Sequence, residues 1–349
     1  VVRAALKRRW GGEIRRQLIF KDLAEQTRAR QFDTWGQMRR YITGRLYPPF
    51  MRPNRLGRHL AASEQPHAYH MSWIVEKTDP VVVAIYDDPV AQTRALGVDL
   101  SPEREAEMER RRSLSMSSFR WLVVPTRSFA EMAGLDMDRV IVGGNGTITD
   151  HVRPGPWPDI PAIGFASGAA PGRGIEALIE ASRLVRSSWP DLRLYLWLVA
   201  TSPDGELYVE RLRTELREDP WVTIGPVGYA HLGPALAKAT ILTIPHPANE
   251  YMDVALPVKL LDSMAAGRPL VVTPRRETAA IVERTGTGLI TRGDAPADLA
   301  DSFNQLLSDE ALARRLGTTA REVAVREFDW GVVGARIAGE VLRREAKQG

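Results

Sequence analysis

One segment, Pro245–Thr273, constrains the fold more than any other part of the chain. The apolar, β-branched run 239–244 before it and the run 268–273 at its end are typical of buried parallel strands. Between them, Pro257 suits the first position of a helix and Gly267 suits its end. The pattern therefore predicts a strand, a helix and a second strand, which is the repeating unit of a doubly wound parallel sheet.

The start of this helix is a candidate anion site. In doubly wound sheets, anions bind where helix N-termini face the carboxyl ends of strands. The amides of Val258, Lys259 and Leu260 are expected to point back toward that edge. Asp262 lies about one turn further along the helix and could bind a pair of vicinal hydroxyls of a ligand. An ordinary strand–helix–strand unit with Lys259 and Asp262 in solvent is the alternative, and the residues alone leave both interpretations open.

Length and composition narrow the class of protein. The chain has 349 residues, more than one core usually organises, so two domains are expected. It contains no cysteine, which excludes disulfides, thiolate catalysis and zinc sites built on cysteine. No apolar run approaches the ~20 residues of a membrane-spanning helix, and Val1 is not followed by a signal-peptide pattern. These observations predict a cytoplasmic protein.

Positive charge is concentrated in residues 1–60. This segment holds 15 Lys or Arg and four Asp or Glu, a net charge of about +11, whereas the whole chain carries +4. Such a region can contact an anionic membrane at the inner face or a phosphorylated acceptor, or it can be a solvated surface, and these alternatives stay open. Nucleic acid is not expected as a partner, because no RNA-binding signature or recognition helix accompanies the charge.

The first lobe shows an alternating pattern of strands and helices. Residues 1–6 predict a strand that ends in a glycine turn containing Gly12, and 80–86 predict a strand that ends at Asp87. His70 lies in a plausible preceding strand and could face the same cleft as Asp87. The alternative for Asp87 is a loop that caps the next element, and the alternative for His70 is an ordinary core or surface histidine. Further elements of the lobe are predicted at 12–32, 103–118, 121–125 and 139–143.

A second lobe follows a segment with four prolines, 153–161, which is typical of a domain boundary. The strand 162–166 leads into a turn of small residues that includes Gly168 and Arg173. An arginine at such a helix start is suited to hold a phosphate, because its guanidinium adds donors to the helix amides. The turn lacks the Gly-Lys-Ser/Thr ending of a Walker motif, so hydrolysis of a nucleoside triphosphate is not expected.

Five runs of sequence resemble the retaining glycosyltransferases of family 4, the group 1 glycosyltransferases, and they occur in the family's order. They are NGTITDHVRP at 145–154, SGAAPGRGIEALIEA at 167–181, VTIGPVGYAHLGPALAKATILTIP at 222–245, ALPVKLLDSMAAGRPLVVT at 255–273 and EFDWGVVGARIAGEVL at 327–342. The resemblance covers about 145–345 well and is weaker over 1–144. It implies an α/β protein of the GT-B fold, in which two Rossmann-like domains face each other across a cleft.

The domain boundaries follow from this resemblance. It implies an acceptor-side domain at 1–152, a hinge at 153–161, a donor-binding domain at 162–328 and a helix at 329–349 that returns toward the first domain. Base recognition in the family runs mostly through backbone near 224–229.

The resemblance also assigns roles to residues. Arg173 would bind the donor diphosphate, together with Gly12, Gly168, Val258 and Lys259, and Asp262 would bind the ribose hydroxyls. Asp87 and His70 would be the catalytic candidates. The family's first signature glutamate would fall at position 254, which is Val254 here, so Glu250 or Asp253 would contact the sugar instead. The family also has a second basic residue that binds phosphate soon after Gly168. Here that position is occupied by Ala169 or Ala170, and Lys259 could take over its role.

The implied activity is transfer of a hexose-type sugar from a nucleotide diphosphate sugar to an acceptor hydroxyl, with retention of anomeric configuration and without a metal ion or other cofactor. The acceptor would be a glycan, a lipid or a small molecule. Two alternatives remain at this level: a GT-B enzyme of other chemistry, such as a nucleotide-sugar epimerase, or a catalytically silent relative that binds a nucleotide or a partner.

Overall fold

The structure is a computed structural model that describes residues 62–64, 82–85, 88–97, 101–117, 120–200 and 203–348. The chain divides into two compact units. Unit 1 comprises Val1–Val90, Leu100–Gly144 and Val333–Gly349, and unit 2 comprises Ala91–Asp99 and Asn145–Val332. The strand and helix predicted at 1–32, together with the candidates Gly12, His70 and Asp87, lie outside the described residues.

Unit 1 contains a four-stranded parallel sheet. Its strands, in the order β1-β2-β3-β4, are Ala62–Glu64, Val82–Ala84, Trp121–Val124 and Val140–Val142. The three helices described up to β4 are α1 (Pro89–Ala95, most of which belongs to unit 2), α2 (Pro102–Ser117) and α3 (Arg127–Met132). The strands predicted at 80–86, 121–125 and 139–143 and the helix predicted at 103–118 are confirmed. Helix α1 was not predicted, because only an acidic loop was expected after β2.

Unit 2 contains a six-stranded parallel sheet with the order β10-β9-β8-β5-β6-β7. The first strand, β5, lies in the middle, with β6 on one side and β8 on the other, so the strand order reverses between β5 and β8. Ligands bind at such a reversal in open α/β sheets. The strands are Ala162–Gly168, Arg193–Val199, Val222–Gly225, Ile241–Ile244, Leu270–Val272 and Gly288–Ile290 for β5 to β10.

Helices cover this sheet and bury two apolar clusters. One cluster contains Phe165, Leu178 and Phe303, and the other contains Leu242, Leu260 and Met264, all of them fully buried. The helices are α4 (Ile175–Arg186), α5 (Pro203–Glu215), α6 (Leu232–Leu236), α7 (Glu250–Val254), α8 (Val258–Ala265), α9 (Arg276–Thr285), α10 (Pro296–Ser308) and α11 (Glu310–Val323). The second lobe therefore has the alternation predicted from its sequence, with the helices α7 and α9 as additions.

The helix α12, Trp330–Gln348, belongs to unit 1 from Val333 onward, and its last turns contact the sheet of that unit. The Glu345 carboxylate accepts hydrogen bonds from the Trp121 indole at 2.6 Å and from Arg120 at 2.8 Å. Arg344 donates to the carbonyl of Val140 at 2.9 Å. These bonds fix the helix to the strands β3 and β4.

The Pro-rich segment 153–161 lies within unit 2, where Arg268 holds it. The buried Arg268 guanidinium donates to the carbonyls of Gly155 and Pro156. The guanidinium groups of Arg268 and Arg314 lie 5.0 Å and 4.6 Å from the centre of the Trp157 ring. Burial lowers the pKa of Arg268 to about 10, so it stays charged at neutral pH. The two units divide at Gly144 and at Val332, and the role of 153–161 as a hinge stays a prediction. Among the described helices, none combines the length and apolar character needed to cross a membrane.

Candidate functional site

The carboxyl edge of the unit 2 sheet brings three loops together. Because β5, β8 and β9 are adjacent and parallel, the segments that follow them leave the sheet side by side. These segments are 168–174, 245–249 and 273–275. They carry Arg173, His246 and Arg275, and Lys259 in the first turn of α8 joins them.

Lys259 is held between the end of β5 and the segment that follows β8. Its ammonium donates to the Ser167 hydroxyl at 3.1 Å and lies 3.1 Å from Nε2 of His246. It also lies 5.3 Å from the centre of the Phe165 ring, in the range of a cation–π interaction. The Lys259 side chain is therefore directed to the end of β5. The predicted diphosphate ligands Lys259, Arg173 and Gly168 lie at the same edge of the sheet.

His246 is buried at the centre of this group, with an exposed fraction of 1%. Burial, and then the positive charges of Lys259, Arg173 and Arg275, lower the pKa of His246 well below its ordinary value. The imidazole is therefore neutral. Since a lysine ammonium only donates hydrogen bonds, Nε2 accepts and the proton is assigned to Nδ1.

Arg275 is the third cation, and it is also largely buried. It occupies the N-cap of α9, and its guanidinium lies 3.3 Å from the Asp253 carboxylate. Asp253, a predicted sugar ligand, is therefore paired with an arginine. The other predicted sugar ligand, Glu250, is exposed at the first position of α7, and Val254 is buried in the core. A sugar-binding role for Glu250 and Asp253 stays a prediction.

The glycine loop packs backbone against backbone. Gly172 and Gly174 have φ values of +72° and +78°, in the left-handed region that favours glycine. A Cβ atom on Gly174 would lie 1.7 Å from the carbonyl oxygen of Pro245, and one on Gly172 would lie 2.9 Å from that of Ala95. Only glycine fits at position 174, and this close approach fixes the loop against the segment that carries His246.

The start of α8 differs slightly from the prediction. Pro257 is the N-cap, and the first helical residue is Val258. The prediction that the Leu260 amide points toward the ligand edge is wrong, because Leu260 donates to the carbonyl of Pro257 at 3.0 Å. The tight first turn takes up this donor. Val258 and Lys259 stay the predicted contributors from this helix start.

Asp262, three residues after Lys259 in α8, contacts a different set of polar residues. Its carboxylate accepts a hydrogen bond from the Thr147 hydroxyl at 2.5 Å. Burial raises the pKa of Asp262 to about 6, although the Thr147 bond and the charge of His151 act in the opposite direction. Burial and the Asp262 charge in turn raise the pKa of Tyr229, whose ring stacks on His151 with centroids 4.8 Å apart. Binding of ribose by Asp262 stays a prediction.

The raised pKa of Asp262 gives a prediction about stability. The folded state binds more protons than the unfolded state between about pH 4 and 6, so ionisation of Asp262 destabilises the protein as the pH rises through this range. We expect Asp262→Asn to raise the free energy of unfolding by roughly 2–3 kcal/mol at pH 8, because one pKa unit corresponds to about 1.4 kcal/mol. The gain should shrink toward pH 4. Urea unfolding at pH 5 and pH 8 measures it.

The matched control is Asp150→Asn, at an exposed aspartate. This variant should differ from wild type by less than about 0.5 kcal/mol at both pH values. An Asp262→Asn gain that is the same at pH 5 and pH 8 would contradict the assignment of the titration to Asp262.

Two residues of the site, His246 and Arg275, were not singled out from the sequence. Both follow buried strands by two or three residues. This position, just beyond the carboxyl end of a strand, was the sequence signal that could have identified them as site residues. In the first lobe, the structure describes Asp88 but not the predicted Asp87. Asp88 is buried and accepts a hydrogen bond from the Val90 amide at 3.1 Å, as a helix-capping residue does.

Comparison with solved structures defines the class of protein. HepE from Anabaena, solved in complex with UDP and glucose, has a TM-score of 0.66 at 16% sequence identity, with 81% of this chain and 78% of that chain covered. An identity this low shows the fold alone. The chain is an α/β protein of the GT-B fold, with two Rossmann-like units. Residues 160–309 match the family model described as Glycosyl transferases group 1.

Curated relatives agree with this match. The chain is 28% identical over 150 residues to D-inositol 3-phosphate glycosyltransferase from Pseudarthrobacter chlorophenolicus, covering 42% of this chain and 34% of the relative. It is 26% identical over 233 residues to alpha-maltose-1-phosphate synthase from Mycolicibacterium smegmatis, covering 60% and 57%. The match therefore spans about a third of one relative's length and less than three fifths of the other's.

Proposed function

We propose that this protein is a glycosyltransferase that moves a hexose-type sugar from a nucleotide diphosphate sugar to an acceptor hydroxyl, with retention of anomeric configuration. The observation that carries the proposal is the gathering of Arg173, Lys259 and Arg275 around one neutral histidine at the carboxyl edge of the sheet. Cations gathered at the carboxyl edge of a sheet attract an anion, and Arg275 is also paired with the Asp253 carboxylate at 3.3 Å. A diphosphate supplies the matching negative charge.

The same charges account for the chemistry. When the bond between sugar and diphosphate breaks, negative charge grows on the leaving diphosphate. Cations that the fold already holds in place stabilise that charge without reorganisation. Lys259 is fixed by Ser167 and His246, and Arg173 lies in the loop that Gly174 anchors to Pro245. The solved neighbour bound to UDP and glucose supports a nucleotide sugar as donor.

The acceptor side of the proposal rests on the sequence. We propose an anionic glycan or a lipid as acceptor, because residues 1–60 carry about +11. The name of one relative, an inositol 3-phosphate glycosyltransferase, supports a phosphorylated acceptor. Asp87 and His70 stay the proposed catalytic residues of the first lobe.

Ligand-induced stabilisation tests the donor site. Thermal unfolding is measured with UDP, GDP, ADP and TDP, and then with their common sugar conjugates. A ligand at 100 times its Kd should stabilise the folded protein by about 2.7 kcal/mol. One nucleotide family should raise the midpoint, and its sugar conjugate should be turned over in the presence of an acceptor, with the anomeric configuration of the product read by NMR. No shift with any nucleotide would overturn the proposal.

We expect transfer to proceed without a divalent metal ion. Protein cations fill the role that a metal has in other transferases, which is to neutralise the leaving diphosphate. Treatment with EDTA, followed by removal of the chelator, should leave turnover within about twofold of its starting value, because no metal-dependent step is involved. A large loss that Mg²⁺ or Mn²⁺ restores would contradict this prediction.

A further inference from the structure

We propose that His246 is a positioning residue that aims the Lys259 ammonium at an anionic ligand while leaving its charge intact. This inference rests on the proposed function, because it gives Lys259 the donor diphosphate as its ligand. It assigns a role to a buried side chain that the transfer mechanism above does not use directly.

The geometry supports this role from two sides. Ser167 lies in β5 and His246 lies two residues beyond β8, and each contacts the Lys259 ammonium at 3.1 Å. Two acceptors on adjacent strands restrict a side chain that otherwise rotates freely. The carbonyl of His246 also accepts a hydrogen bond from the Thr273 hydroxyl at 2.6 Å, which ties this segment to the end of β9.

The charge of the hydrogen-bond acceptor at position 246 matters as much as its position. A carboxylate at position 246 would hold Lys259 equally well, but it would cancel the charge that an anion needs. A neutral imidazole accepts a hydrogen bond from the ammonium without neutralising its charge. Burial is the main cause that lowers the pKa of His246. Among the described residues, the charges of Lys259 from α8, Arg173 from the glycine loop and Arg275 from the start of α9 lower it further, so the imidazole stays unprotonated.

Two buried donors provide an independent observation that points to an anion. Nδ1 of His246, which carries the proton, and Nε of Arg275 are buried and have no hydrogen-bond partner in the part of the chain that the structure describes. A buried donor without a partner is costly, so native proteins rarely keep one without a reason. Oxygen atoms of a bound diphosphate would satisfy donors at this edge of the sheet.

A set of variants at positions 246 and 259 tests the proposal, with inorganic pyrophosphate as the probe in titration calorimetry. Lys259→Met and His246→Leu should each weaken pyrophosphate binding about tenfold or more, and the double variant should bind no more weakly than Lys259→Met alone. Such non-additivity is expected when one residue acts through the other. His246→Gln keeps a neutral acceptor and should bind within about threefold of wild type.

His246→Glu has the same shape as His246→Gln but carries a negative charge, so it holds Lys259 and cancels the charge of the ammonium. It should bind pyrophosphate as weakly as Lys259→Met. Thermal unfolding of every variant checks folding. If one fails to fold, His246→Ala replaces His246→Leu, His246→Asp replaces His246→Glu and His246→Asn replaces His246→Gln. Additive losses in the double variant, or equal binding by the Gln and Glu variants, would overturn the role of His246.

The two proposals can fail separately. Coupled losses of pyrophosphate affinity in a protein that turns over no nucleotide sugar would support the role of His246 and overturn the enzyme. Turnover of a nucleotide sugar, together with additive losses of pyrophosphate affinity, would support the enzyme and overturn the role of His246. Wild-type protein that does not bind pyrophosphate would overturn the anion site on which the role of His246 depends.

Discussion

Replacing Arg173 by alanine is expected to lower kcat/KM for the nucleotide sugar by about 10²- to 10³-fold, the loss that follows removal of one preorganised donor to a developing negative charge. Arg173 lies near the end of the glycine loop, one residue before Gly174, the N-cap of α4. Its charge acts on the same buried His246 as those of Lys259 and Arg275. The loss should appear mainly in kcat, because charge grows on the diphosphate in the transition state. Initial-rate kinetics over a range of donor concentrations measure the two parameters separately.

The matched control is Arg193→Ala. Arg193 is exposed at the first position of β6, at the amino edge of the same sheet, so its removal takes away an equal charge on the opposite side of the domain. Its kinetics should stay within about twofold of wild type, because surface substitutions away from a site have small effects. Equal losses in the two variants would show that net charge, rather than the position of Arg173, determines the rate.

Replacing Gly174 by alanine is expected to lower the free energy of unfolding by about 3 kcal/mol or more. The residue has a φ of +78°, and the added Cβ atom would lie 1.7 Å from the Pro245 carbonyl oxygen. Backbone must move to relieve this contact, since neither atom belongs to a flexible side chain. The same movement should separate Arg173 from the segment of His246 and weaken nucleotide binding. Urea unfolding and a titration with the nucleotide diphosphate measure the two effects.

Gly286→Ala separates the cost of the left-handed backbone conformation from the cost of the contact with the Pro245 carbonyl oxygen. Gly286 also has a left-handed backbone, with a φ of +62°, but a Cβ atom on it would meet nothing within 4 Å. This variant should lose only the roughly 1–2 kcal/mol of the unfavourable backbone conformation, and it should bind nucleotide like wild type. Similar stabilities for the two variants would show that the loop yields easily and does not hold the site rigid.

Much of the fold could be predicted from local sequence patterns. Buried parallel strands are continuous apolar runs, so 121–124, 162–168 and 241–244 could be recognised without knowledge of their partners. Helix ends also carry local signals, such as Thr126, whose hydroxyl accepts the Phe129 amide at 3.0 Å. The helices α1, α7 and α9 were missed. The first two have seven and five residues, too few turns to show a period.

The site could be predicted only in part. Arg173 and Lys259 stand next to local signals, a glycine turn and a helix start after a proline, and these signals do not depend on the rest of the chain. His246 and Arg275 are ordinary residues in their own segments. They acquire a role because β8 and β9 are neighbours of β5 in the sheet, and strand order depends on long-range pairing that no local pattern encodes.

The sequence by itself therefore determined the alternation of strands and helices, the glycine loop and the cations at its end, because each depends on backbone preferences and apolar periodicity within a short stretch. The tertiary structure alone decided which charges meet. It placed three cations around one neutral imidazole. It also set Asp262 against Thr147, 115 residues away in the chain, and buried the carboxylate enough to raise its pKa to about 6. Charges interact through space over a few ångströms, so their energies follow from the packing of the sheet and its helices rather than from the order of residues.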